Sequence, residues 1–172
     1  MILTGNEIER QVKIGTITLS PFSKNHVNPN SYNYRLGHTL KEIRQSSPLN
    51  PRSKNDADEL LIPHTGLILR PGRFYLAHTY EEIGSTKFVP ILIGRSSIGR
   101  LGLFLQISAD LGNLGACHRW TLELYSVLPI RVYPKMIIGQ VSFWSVSGAK
   151  IPYEGTIGFQ NDPIFAPPLE VN

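Results

Sequence analysis

Apolar residues fall along this chain in short runs that alternate with glycine, proline and polar turns. "TITLS", "GLILR", "RFYLAHTY", "KFVPILIG", "LGLFLQIS", "RWTLELYSV", "IRVYP" and "MIIGQVSFWSV" are rich in Val, Ile, Leu, Tyr and Phe, the composition of strands on a pleated, half-buried surface. Only the first residues carry a helical period. Thr4 and Glu7 have the spacing of a capping box, and Ile8 with Val12 would form the apolar side of a short helix ending near Gly15. Many short strands with no second helical pattern predict an all-β fold, a barrel or a double sheet, preceded by that one helix. The polar, proline-containing stretch from Arg44 to Glu59 reads as a long surface loop. Four of the thirteen prolines follow residue 150, so residues 151–172 are expected to run extended over a surface, such as that of a neighbouring subunit.

At 172 residues and 41% hydrophobic, the chain can bury one sizeable core, and a single domain over 1–172 is expected. A formal charge of +4 suits an anionic partner such as a phosphate. It is too mild to argue for nucleic acid, and no basic stripe with interleaved aromatics appears. The single cysteine, Cys117, allows no internal disulfide and fits a reducing compartment. The start, "MILTGNEIERQVKIG", lacks the apolar core of a signal peptide, and no run is long enough to span a membrane, so the expected location is the cytoplasm.

Chemistry enters where the strand pattern is interrupted. "GRSSIGRLGLF", Gly94 to Phe104, sets two arginines, two serines and three glycines between the apolar runs "FVPILI" and "LFLQI". Such a turn can aim N–H groups and hydroxyls at one point while Arg95 and Arg100 supply charge-assisted hydrogen bonds to phosphate oxygens. The bland reading has solvated arginines and serines that satisfy the turn's own backbone. In "RWTLELYS", alternation puts Trp120, Leu122 and Leu124 on one face and Thr121, Glu123 and Tyr125 on the other. Glutamate is depleted inside strands unless it is paired or functional, so Glu123 is either a salt-bridged scaffold residue or a catalytic one. Trp120 and Trp144 read as core or subunit-contact aromatics. Cys117 and His118, adjacent on a strand, point to opposite faces and make a poor nucleophile pair.

Taken together, "GRSSIGRLGL", "NPNSYNYRLG" (Asn28 to Gly37), "LRPGRFYLAHTYEEI", "WTLELYS" and "KMIIGQVSF" resemble, in order and spacing over roughly residues 1 to 155, the dCTP deaminase family, the trimeric branch of the dUTPase-like fold. The resemblance implies a β-clip, or distorted β-barrel, assembled as a homotrimer. Its implied activity is metal-independent hydrolytic deamination of a cytosine nucleotide, dCTP to dUTP plus ammonia, with magnesium entering only on the triphosphate. Carried over by position, it implies that Ser96 and the carbonyl of Ala109 hold the attacking water and that Glu123 is the general acid/base. Arg100 would lie beside Glu123, while Arg95 and Ser97 would contact phosphates. Asn113, Tyr153 and Gln160 would complete the substrate-binding set. A zinc deaminase would need His-x-Glu with Pro-Cys-x-x-Cys, and His26, His38, His64, His78 and His118 show no ligand spacing.

Several positions depart from the family pattern. "LGNLGACH" places Asn113 where the family has an aspartate that lies against the sugar and, in dUTPases, activates the hydrolytic water. Its loss speaks against a diphosphatase. Asn33 replaces a second aspartate, read as a structural exchange; Ile93 precedes Gly94 where an acid is usual; and no lysine stands between Tyr153 and Gln160. Three classes thus remain at this level: a cytosine-nucleotide deaminase, a dUTP diphosphatase, and a noncatalytic nucleotide-binding or regulatory homologue.

Overall fold

A helix begins where the capping signal places it. In the computed structural model, which describes residues 1–44, 48–53, 55–106, 108–155 and 161–163, the Thr4 hydroxyl accepts the Glu7 N–H at 3.4 Å and α1 spans Gly5–Lys13. Only half of the capping box forms. The Glu7 carboxylate turns instead to Arg10 and Gln11, whose hydrogen bonds hold its pKa down at about 2. Ile8 is fully buried, and the chain leaves the helix through Gly15 at φ +79°, a left-handed conformation that glycine adopts without cost.

The strands are β1 (Ile17–Ser20), β2 (Tyr32–Ile43), β3 (Ala57–Leu61), β4 (Leu67–Leu69), β5 (Phe74–Thr79), β6 (Glu82–Ser85), β7 (Phe88–Gly94), β8 (Leu103–Leu105), β9 (Cys117–His118), β10 (Thr121–Ser126), β11 (Ile130–Val132) and β12 (Ile137–Ser145), with a one-turn helix α2 (Ser96–Gly99) between β7 and β8. The main sheet runs β7-β12-β2-β5-β10-β8, with β3 paired to β2. Its two end strands, β7 and β8, are consecutive in sequence. The "GRSSIGRLG" turn therefore joins the two ends of the sheet and nearly closes it into a barrel. Small sheets β1-β6-β9 and β4-β11 cover it. The fold is mainly β, as the apolar runs predict.

Four strands were not visible in those runs, among them the two-residue β9. β2 is twelve residues long, but its "YNYRLGHTLKEI" mixes Asn, Arg, His, Lys and Glu among the apolar residues because it is buried on both faces for much of its length. The expected Arg44–Glu59 loop is shorter than read, since β3 starts at Ala57 and pairs Ile43 with Ala57 through Thr39 with Leu61 as a hairpin arm. β6, "EIGS", is too short and too polar to register as a run.

Inward side chains of the main sheet form the core: Tyr32, Tyr34, Leu36, Leu40, Tyr75, Ala77, Leu92, Leu122, Leu124, Val141 and Phe143 are each at most 2% exposed. Two glycines admit large neighbours. The buried ring of His78 fills the space above Gly37, at a register shift between β2 and β5, with Nδ1 2.9 Å from the Thr79 carbonyl and Nε2 3.3 Å from Thr39 Oγ1. A Cβ on Gly37 would fall 2.1 Å from that ring. Gly37→Ala is expected to cost about 1–3 kcal/mol, the usual penalty of overpacking, read as a lowered midpoint in chemical denaturation.

Candidate active site

The closing turn is held from below. Tyr34, fully buried, donates its hydroxyl to the Ile93 carbonyl at 3.1 Å, and its ring lies where a Cβ on Gly139 would be, 2.1 Å away. This fixes the end of β7. The Arg95 carbonyl then accepts the N–H groups of Ile98 and Gly99, and buried Ile98 anchors α2 in the core. Gly102, at φ +84°, turns the chain into β8. Ser96, Ser97 and Arg100 are exposed and Arg95 is half-buried. Among the described residues, their side chains enter no hydrogen bond or ion pair. The polar groups of this turn are thus displayed outward rather than spent on the turn itself, unlike the bland reading of its serines.

Glu123 sits mid-strand on β10, between β5 and β8, with alternation as the sequence pattern requires: Thr121, Glu123 and Tyr125 are half-buried, and Leu122, Leu124 and Ser126 are buried. Its carboxylate accepts the Ser108 hydroxyl at 3.3 Å. No described ion pair reaches it, so the salt-bridged scaffold reading has no partner among the described residues. The implied pairing of Glu123 with Arg100 is not made within one chain either.

Ala109 is brought to Glu123 by a residue outside the expected set. Gln106 follows β8 with φ +49°; its N–H donates to the Glu123 carbonyl at 3.2 Å, its Oε1 accepts the Glu123 N–H at 2.8 Å, and its Nε2 donates to the Ala109 carbonyl at 2.9 Å. Neither Gln106 nor Ser108 was legible as a partner of Glu123. Their placement depends on the β8–β10 register and on one left-handed residue, and no local pattern encodes either.

The altered segment "LGNLGACH" runs back along β7. Leu92 N–H bonds the Asp110 carbonyl at 2.9 Å, Gly112 N–H bonds the Pro90 carbonyl at 2.8 Å, and Gly112 lies so close under Pro90 and Trp120 that a Cβ would collide with both. Asn113 is exposed, its carbonyl accepting the Ala116 N–H in a turn at 3.3 Å. Tyr153 meets this turn through its N–H, 2.7 Å from the Leu114 carbonyl, and Pro152 packs against Gly115. Asn161 accepts the Arg119 N–H at 2.9 Å. The described part of the 151–172 tail therefore meets a surface of its own chain at Leu114, Gly115 and Arg119. Gln160 lies outside the described residues.

The remaining expectations divide. Asn33 forms a reciprocal amide pair with Asn28, at 2.9 and 3.2 Å, in a network extended through Ser31 to Gln140. An aspartate could supply only the accepting half of that pair, so the exchange fits a structural part. Trp120 packs against the core, donates to the Ile83 carbonyl at 2.8 Å and meets the His118 ring in a tilted contact, whereas Trp144 is 40% exposed. Cys117 is half-buried and His118 buried, on opposite sides of β9. Among the described residues, no three His, Cys, Asp or Glu side chains gather as a metal site, and no helix is long and apolar enough to cross a membrane.

Fold and site together define a mainly-β, barrel-like protein whose polar cluster centres on a strand glutamate. The family model for dCTP deaminase-like proteins matches residues 2–146, and the chain belongs to that family. It is 42% identical over 170 residues to "dCTP deaminase, dUMP-forming" of Hathewaya histolytica, covering 98% of this chain and 96% of that one. It is 44% identical over 149 residues to the protein of the same name from Cytophaga hutchinsonii, covering 86% and 84%. It is 42% identical over 170 residues to "dCTP deaminase" of Rhodopirellula baltica, covering 98% and 84%. Among solved structures, a 2'-deoxycytidine 5'-triphosphate deaminase from Agrobacterium tumefaciens superposes with a TM-score of 0.67 at 21% identity, over 83% of this chain and 46% of that longer one, and supports the fold.

Proposed function

We propose that this protein is a cytoplasmic enzyme that hydrolytically deaminates a cytosine nucleotide, dCTP foremost, with magnesium carried by the triphosphate. The observation that carries the reading is the cluster of Glu123, Gln106, Ser108 and Ala109, which sets a carboxylate and the Ala109 carbonyl at one end of the β8–β10 pair. The Ala109 carbonyl, with the Ser96 hydroxyl, holds a water. Glu123 takes a proton from it and delivers that proton to the ring N3 as the oxygen bonds to C4. A second proton passes from the added hydroxyl through Glu123 to the amino group, the C4–N bond breaks, and ammonia leaves as C4 becomes a carbonyl. Arg100 offsets the charge that develops, and Arg95 and Ser97 hold phosphate, with Asn113 at the sugar and Tyr153 and Gln160 over the nucleotide.

In this reading the site is completed between copies in a homotrimer. Two observations support it: Arg100 and Ser96 are not joined to Glu123 within a chain, and Leu101, Phe104, Val127 and Leu128 leave an exposed apolar border beside β8 and β10. Mixing inactive Ser96→Ala and Glu123→Gln chains under exchange is expected to restore activity at about one site in four by random assortment. Activity that stays absent after demonstrated exchange would place each site within one chain.

Phosphate recognition has its own test. Arg95→Ala is expected to weaken nucleotide binding more at low salt than at high salt, since a charge-assisted contact is screened. Equal affinity of variant and wild type at low salt would remove Arg95 from the site.

The product is assigned as dUTP, because Asn113 supplies no carboxylate to activate a second water. The names of the Hathewaya and Cytophaga relatives favour a second reading, in which diphosphate is also removed and dUMP results. A panel of dCTP, dCDP, dCMP, CTP and dUTP, with ammonia and pyrophosphate measured for each, tests the function. Ammonia from dCTP without pyrophosphate supports the assignment. Equal ammonia and pyrophosphate assigns the dUMP-forming reaction, and no ammonia from any member leaves the noncatalytic class.

A further inference from the structure

Gln106 holds three hydrogen bonds in a conformation that residues other than glycine seldom adopt. Its φ of +49° lies in the left-handed region, just past the end of β8. The β8–β10 register pairs Leu105 with Leu124, so Gln106 faces Glu123 as the next pair of the ladder. There the ladder changes character. The Gln106 N–H still donates to the Glu123 carbonyl at 3.2 Å, but the bond to the Glu123 N–H comes from the side chain, Oε1 at 2.8 Å, in place of a backbone carbonyl. The main chain is thereby free to peel off β10 toward Ser108 and Ala109 while the Glu123 N–H and carbonyl both stay hydrogen-bonded.

The other end of the same amide finishes the arrangement, with Nε2 donating to the Ala109 carbonyl at 2.9 Å. A carbonyl oxygen accepts two hydrogen bonds, so one of its lone pairs remains available to a water. Ser108, between the two anchored points, brings its hydroxyl to the Glu123 carboxylate at 3.3 Å. Only a side chain that accepts at one atom and donates at the other, on a two-carbon stem, spans both contacts. Glutamate lacks the donor and methionine lacks both.

We propose that Gln106 is the positioning residue of the deamination site: one amide clamps the backbone that carries the general base and the carbonyl that receives the attacking water, fixing their separation. This rests on the deaminase reading above. Misplacing a water relative to its base lowers turnover without a matching loss of substrate binding, because the nucleotide's contacts lie elsewhere.

The test compares Gln106→Glu, which keeps the acceptor for the Glu123 N–H and loses the donor to Ala109, with Gln106→Met, which keeps neither. Activity on dCTP, nucleotide affinity and thermal midpoint are measured on folded, purified protein. The expected result is a fall in kcat of about 10–100-fold for Gln106→Glu and a larger fall for Gln106→Met, with KM within a few-fold of wild type. Gln106→Glu should also keep a midpoint near wild type. Variants that melt earlier yet turn over normally per folded molecule would make Gln106 a purely structural residue and overturn the proposal. A KM rise at constant kcat would overturn it as well. If the wild type releases no ammonia, the deaminase reading itself has failed, which is distinguishable from an active wild type with fully active variants.

Discussion

Glu123→Gln is expected to lose about 10²–10⁴-fold in ammonia release while still binding nucleotide, because the amide keeps the shape of the side chain but cannot take a proton from water or deliver it to the ring. The structure around it supports a clean result. The Glu123 side chain is half-buried, its described partner is the Ser108 hydroxyl, and an amide oxygen can accept that bond equally well. The backbone contacts to Gln106 do not involve the side chain at all. The thermal midpoint should therefore hardly move. A scaffold glutamate predicts the reverse, a lowered midpoint with turnover per folded molecule intact, and measuring both on one preparation separates the two.

The largest effect on stability is expected at a different carboxylate. Glu81 is fully buried and accepts both the Arg35 N–H, at 2.8 Å, and the Arg35 Nε, at 2.6 Å, while the guanidinium lies over the Tyr80 ring at 4.7 Å. Glu81→Ala would leave the largely buried Arg35 without its counter-charge and is expected to cost about 3–5 kcal/mol in chemical denaturation. Replacing both residues with leucine should recover much of that loss, since the isolated charge rather than the missing bond carries the cost. Arg35 adjoins Tyr34 on β2, and Tyr34 holds the end of β7. Loss of Glu81 should therefore also loosen the "GRSSIGRLG" turn, seen as faster amide exchange at Ile98 and Gly99 than at α1.

Strands with a strong alternating or apolar signature were legible in the sequence, and β10 was legible down to the side of the sheet on which Glu123 stands. The helix start at Thr4 was equally clear. β2 was not, because a strand buried on both faces and threaded with Asn, Arg and His carries neither alternation nor an apolar run. The site divides along the same line. Residues named by a motif, such as Ser96, Arg100 and Glu123, could be picked out one by one, but their neighbours could not. Gln106 and Ser108 join Glu123 only because β8 and β10 pair in one register and the chain turns left-handed at Gln106. Arg100 shows the converse, since a motif can imply a pairing with Glu123 that one chain does not make. The tail's course over Leu114 and Gly115 was likewise hidden, because proline content argues for extension and says nothing of which surface is met.

The most direct measurement is the mass of the product formed from dCTP in heavy-oxygen water. Hydrolytic attack at C4 predicts a uracil nucleotide with one heavy oxygen on the ring, in step with ammonia release, and none formed by Glu123→Gln; a second heavy oxygen on the phosphate would add diphosphate removal to the same reaction. A cytosine base recovered unchanged, or a ring oxygen without label, would contradict the account.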